Sequence, residues 1–79
     1  MGTGKAVELG SRVVFSVEHY GWMEQAGIWE RRYGRRAGRL NVTGEVLSVR
    51  GDGTCKVGWW RAGVMMEQFH FVSNLECAG

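Results

Sequence analysis

The chain has no proline, and only two of its 79 residues are cysteine, Cys55 and Cys77. Two thiols allow at most one disulfide, and they form neither a CxxC pair nor a zinc-ligand spacing. They read as reduced structural thiols of an intracellular protein, cytoplasmic or nuclear. No apolar run approaches the roughly 20 residues of a membrane-spanning helix. The opening MGTGKAVELG lacks the apolar centre of a signal peptide. Catalytic signatures are missing too. Ser11, Ser16, Ser48 and Ser73 lie in no nucleophile-elbow context, and no pair of carboxylates stands out. The stretch Gly2-Thr-Gly-Lys5 follows no strand and opens no helix, so it is not a phosphate loop. His19 and His70 show no metal spacing with the cysteines. The expectation is a protein that is not an enzyme, with no cofactor, no metal and no membrane partner.

What is present is β-rich. Hydrophobic residues make up 44% of the chain, enough for a folded domain, and 13 glycines point to many tight turns. A chain this short forms one domain that buries only about 60–65% of its unfolded surface. Residues 1–9 read as a flexible lead-in and 10–79 as the domain. Arg12 to Val17 reads as a strand with Val13, Phe15 and Val17 on one face. Glu18 to Gly27 reads as a structured loop, and Ile28 to Glu30 as a short strand or a turn of helix. Thr43 to Arg50 is a strand, Gly51-Asp52-Gly53 a tight turn, and Thr54 to Trp60 the return strand. Alternation puts Cys55, Val57 and Trp59 on the core face and Trp60 on the surface. After a turn at Arg61-Ala62-Gly63, Val64 to Val72 is the next strand, with Phe69 and Phe71 on one face. Ser73 to Leu75 is a single turn in which Leu75 plugs one end, and Glu76-Cys77 a last short strand. The fold class is thus all-β: a small antiparallel barrel of about five strands. Barrels of this size have little room for a buried catalytic pocket and usually bind other molecules.

Net charge is only +2, but it is unevenly placed: Arg31, Arg32, Arg35, Arg36 and Arg39 are half of the ten Lys and Arg. Gly34 and Gly38 discourage a helix there, so Arg31 to Asn41 reads as a mobile basic loop.

Gly10-Ser-Arg-Val-Val14, followed by Tyr20-Gly-Trp-Met-Glu-Gln-Ala-Gly27, resembles the opening of the Mind bomb/HERC-type domain. That family begins with Gly-x-Arg-Val-Val and continues through two aromatics one residue apart, then acid-Gln-x-Gly. Gly44-Glu-Val46 and Val57-Gly-Trp59 match its later Gly-x-Val and Val-x-Trp strands. The turn Trp60-Arg-Ala-Gly63 and the segment Glu67-Gln-Phe-His70 depart from its pattern. The resemblance implies an SH3-like barrel within a larger ubiquitin-ligase protein, recruiting a substrate through a peptide segment.

The aromatic set Tyr20, Trp22, Trp60 and Phe69 is the candidate peptide groove, since Tyr and Trp dominate binding hot spots. Gln25 and Arg61 are placed to bond the peptide backbone. Two alternatives stand beside it. The five arginines, with Tyr33 for stacking, suit nucleic acid or an acidic protein segment. The aromatics, if they converge, suit a tudor-like methyl-lysine cage. The isolated domain is expected to be a monomer.

Overall fold

The structure, a computed structural model, describes residues 7–61 and 63–78, with the backbone alone for Arg61. The expected lead-in therefore falls largely outside the described residues. The chain runs β1 (Arg12–Phe15), α1 (Val17–Gln25), α2 (Ile28–Tyr33), a single 3-10 turn (Arg39–Asn41), β2 (Gly44–Val49), β3 (Thr54–Arg61), β4 (Val64–Phe71), a second 3-10 turn (Val72–Asn74) and β5 (Leu75–Cys77). The strands form one antiparallel sheet in the order β4-β3-β2-β1-β5. The sheet does not close. The molecule is a small, mostly β domain, but it carries two short helices that the all-β expectation did not include.

The first correction falls at Ser16. Its Oγ accepts the backbone N–H of His19 at 3.2 Å, which caps a helix instead of letting the strand run on. Val17 is the first helical residue and is 61% exposed, so it does not share the core face of Val13 and Phe15. The predicted loop over Glu18 to Gly27 is α1 for most of its length. Glu18 in its first turn complements the positive end of the helix dipole. Gly27, at φ 75°, then swings the chain into α2.

The second correction concerns the basic loop. Arg31 to Tyr33 belong to the end of α2, which stops at Gly34 with φ 88°. The remainder is tied down. The indole N–H of Trp29 donates to the Ala37 carbonyl at 2.7 Å. The Gly38 N–H donates to Asn41 Oδ1 at 2.8 Å. The Arg39 guanidinium donates to the Phe15 carbonyl at 3.0 Å and pairs with Glu76 Oε1 at 3.1 Å. The segment is thus stapled onto β1 and β5.

The core lies between the sheet and the helices. Phe15 stacks on Trp59 with ring centroids 4.7 Å apart, and Trp29 meets Phe15 edge-on at 6.0 Å. Val13, Val46, Cys55, Val57 and Leu75 are buried around them. The alternation along β3 is as the sequence indicates: Cys55, Val57 and Trp59 inward, Trp60 outward. The β2–β3 turn has Gly53 at φ 88°, and Asp52 Oδ1 accepts from the Thr54 hydroxyl at 2.6 Å and from its N–H at 3.1 Å. Those bonds draw the Asp52 carboxyl below its ordinary range.

Candidate functional site

The residues read as one groove are set on two faces of the domain. Tyr20 projects from α1 onto Trp29, with ring centroids 4.7 Å apart and edge-on, and its hydroxyl donates to Glu24 Oε2 at 2.8 Å. That bond to a carboxylate raises the phenol's pKa above its ordinary value. The half-buried Tyr20 side chain packs against the core. Trp22 is exposed and stacks on His19 at 5.9 Å. Gln25 is exposed at the end of α1.

Trp60 and Phe69 point the other way, from the outer face of the sheet. Trp60 is 61% exposed and borders a shallow depression with Arg12, Thr43, Gly44 and Glu45. Phe69 lies beneath two cations, the Arg50 guanidinium at 5.3 Å and the Lys56 ammonium at 5.9 Å from its ring centroid. The Arg61 side chain lies outside the described residues. None of the described depressions is lined from both faces, so the structure does not bring the four aromatics into one cage.

The structure gathers a different set. The last turn of α2 brings Arg32 and Tyr33 over β3 and β4, where they line a cleft of about 250 Å³ with Trp59, Met66 and Gln68. Met66 is paired directly with Trp59 across the β3–β4 ladder, and Gln68 follows on the same face. The indole is held in place on two sides. Phe15 stacks on it, and its N–H donates to His70 Nε2 at 3.1 Å. The accepting Nε2 means that the neutral His70 carries its proton on Nδ1. Burial pushes the His70 pKa down, and the charges of His19 and Arg32 push in the same direction. Neither Met66 nor Gln68 was singled out from sequence. The signal was the tight turn before Val64, which sets Met66 opposite Trp59.

The basic residues divide as well. Arg39 is structural, its side chain only 21% exposed. Arg35 pairs with Glu30 on the surface, an arrangement worth little by itself. Arg31 and Arg36 are exposed, and Arg32 lines the cleft. Among the described residues no group of three or more His, Cys, Asp or Glu is placed to hold a metal ion, and no helix is long and apolar enough to cross a membrane. Compared with models of known families, with curated proteins and with solved structures, the chain matches none.

Proposed function

We propose that this domain is a non-catalytic interaction module of SH3-like architecture that binds a peptide segment, as a part of a larger ubiquitin-ligase-type protein. The observation that carries the reading is the cleft between α2 and β4. Its floor is the buried Trp59 indole, and around it stand an adaptable apolar wall in Met66, the half-buried Tyr33 ring, a polar group in Gln68 and a cation in Arg32. At about 250 Å³ it is smaller than the ~300–1,000 Å³ typical of small-molecule sites. One or two side chains of a peptide fill it. The SH3-like reading is supported by the consecutive meander β2-β3-β4, by the pairing of first and last strands, and by the 3-10 turn that delivers buried Leu75 into β5. The ubiquitin-ligase setting rests on the residue resemblance alone.

The test is selection of peptides from a displayed library on the 79-residue chain. Affinities are then measured for Met66→Asp and Trp60→Ala. Met66→Asp weakens binding at least tenfold without a change in circular dichroism. If Trp60→Ala does so instead, the site is on the outer face. A nucleic-acid reading keeps some support from Arg31, Arg32 and Arg36. Three phosphate contacts to a single strand give a log–log salt slope of about −2. An oligonucleotide titration showing that slope, with no peptide selected, would replace the peptide reading.

A further inference from the structure

The free edge of β4 offers a means of capture that the cleft alone does not. β4 is eight residues long and ends the sheet on one side; β5, on the other side, has only three. Proteins usually blunt an exposed edge with lysine, proline, a bulge or brevity. β4 uses none of these. Its sequence is Val-Met-Met-Glu-Gln-Phe-His-Phe, and its register with β3 is unbroken from Val64 opposite Arg61 to Phe71 opposite Thr54.

The phase of the ladder identifies the open groups. The Val72 N–H donates to the Gly53 carbonyl at 2.9 Å, while the Thr54 carbonyl turns toward β2 to accept from Arg50. Hydrogen-bonded and non-bonded pairs alternate along an antiparallel ladder. His70, Gln68, Met66 and Val64 therefore bond to β3. Met65, Glu67, Phe69 and Phe71 direct their N–H and C=O groups away from it, and among the described residues no backbone bond meets them.

The charge around this edge is mainly positive. On the core face, Arg32 stands beside Met66 and Gln68 in the cleft. On the outer face, Arg50 and Lys56 sit over Phe69, and the only acid of the strand, Glu67, is paired with Lys56 at 3.2 Å. A strand laid along β4 sends alternate side chains to the two faces, so both meet positive charge next to apolar surface. A second copy of this chain would bring its own cations to the same place.

Resting on the peptide reading above, we propose that β4 captures an extended acidic segment by strand addition. The backbone of the segment pairs with Met65, Glu67, Phe69 and Phe71. Its apolar side chains lie against Met66 in the cleft and against Phe69 and Phe71 outside, and its carboxylates lie near Arg32, Arg50 and Lys56. The backbone bonds supply affinity, and the alternating side chains supply choice of partner.

The probe is the capped peptide (Glu-Glu-Val-Val)3, which presents both carboxylates and apolar side chains on each face, with (Lys-Lys-Val-Val)3 and a (Glu-Glu-Val-Val)3 N-methylated at every second residue as controls. Amide exchange in the isotope-labelled chain is the readout. Binding is expected to slow exchange at Met65, Glu67, Phe69 and Phe71 at least tenfold. The lysine peptide binds at least tenfold more weakly, and N-methylation in the phase that faces β4 abolishes binding. Glu67→Pro, at a position whose N–H does not serve β3, weakens binding while its circular dichroism is kept. Binding that shifts cleft amides without protecting those four overturns strand addition and leaves the peptide reading standing. No binding of (Glu-Glu-Val-Val)3, while library peptides bind elsewhere, also overturns it. A dimer in ultracentrifugation with the same four amides protected would assign the edge to a second copy. Failure of every peptide would remove the underlying reading as well.

Discussion

At the residue scale, His70 links the cleft to pH. It accepts the Trp59 indole N–H only while its Nε2 is unprotonated. His70 and His19 both have pKa values lowered from about 6.5, burial being the main cause. Below that value the unfolded chain takes up protons that the folded chain resists. Their contribution to stability is thus complete above about pH 6.5 and is lost as pH falls through the lower folded-state values. The thermal midpoint should drop between pH 7 and pH 5. His70→Gln, which keeps an acceptor for the indole, should flatten that drop; an unchanged profile would count against His70. Gly44 makes a different demand. A Cβ there would lie 2.8 Å from Trp59 Cε3 and 2.5 Å from Val57 Cγ1, both buried. Gly44→Ala should cost about 1–3 kcal/mol by overpacking, read as a lower urea midpoint. Trp59 and Trp60 were legible from alternation because β3 is buried on one face alone. Met66 and His70 were not, because the polar character of His and Gln hides the core-facing phase of β4.

At the element scale, the helices were the part the sequence concealed. α1 has nine residues and α2 six, well below the ~12–15 at which an isolated helix holds. Gly21 inside α1 costs about 1 kcal/mol relative to alanine. Tertiary contacts sustain them instead: Met23, Trp29 and Tyr33 pack on the core, with Trp29 and Tyr33 rings 4.5 Å apart one helical turn from each other. The one local sign was Ser16, hidden inside an apparently continuous β-branched run. Ser16→Ala should remove the cap, cost about 1 kcal/mol, and lower the thermal midpoint by about 4–8 °C. A shift within error would mean that packing alone holds α1. The strands were easier to see, since the Gly51-Asp52-Gly53 turn fixes the β2–β3 register and Gly63, at φ 79°, belongs to the next turn.

At the scale of the whole molecule, sequence conveyed the count of strands and their places along the chain, but not their closure. The number of strands follows from turns every few residues. Whether β4 and β5 meet depends on twist and on the irregularity in β2 between Val46 and Ser48, where the register shifts. The candidate site suffered most from this: Tyr20 and Trp60 lie one helical layer and one sheet apart, a separation no one-dimensional pattern reveals. Residue types also overstated the arginine cluster, since Arg39 is spent on joining Phe15 and Glu76.

The pairing of β1 with β5 has a kinetic side. Val13 meets Cys77 across more than sixty intervening positions, whereas β2, β3 and β4 contact one another through short turns. Bringing distant ends together costs loop entropy before any contact repays it. The expected folding nucleus is therefore the meander, with β1 and β5 docking late. Substitutions in the Asp52 turn should slow folding, with φ-values above about 0.5, whereas Leu75→Ala should chiefly speed unfolding in stopped-flow traces. The opposite pattern would place the closing of the chain's two ends at the barrier.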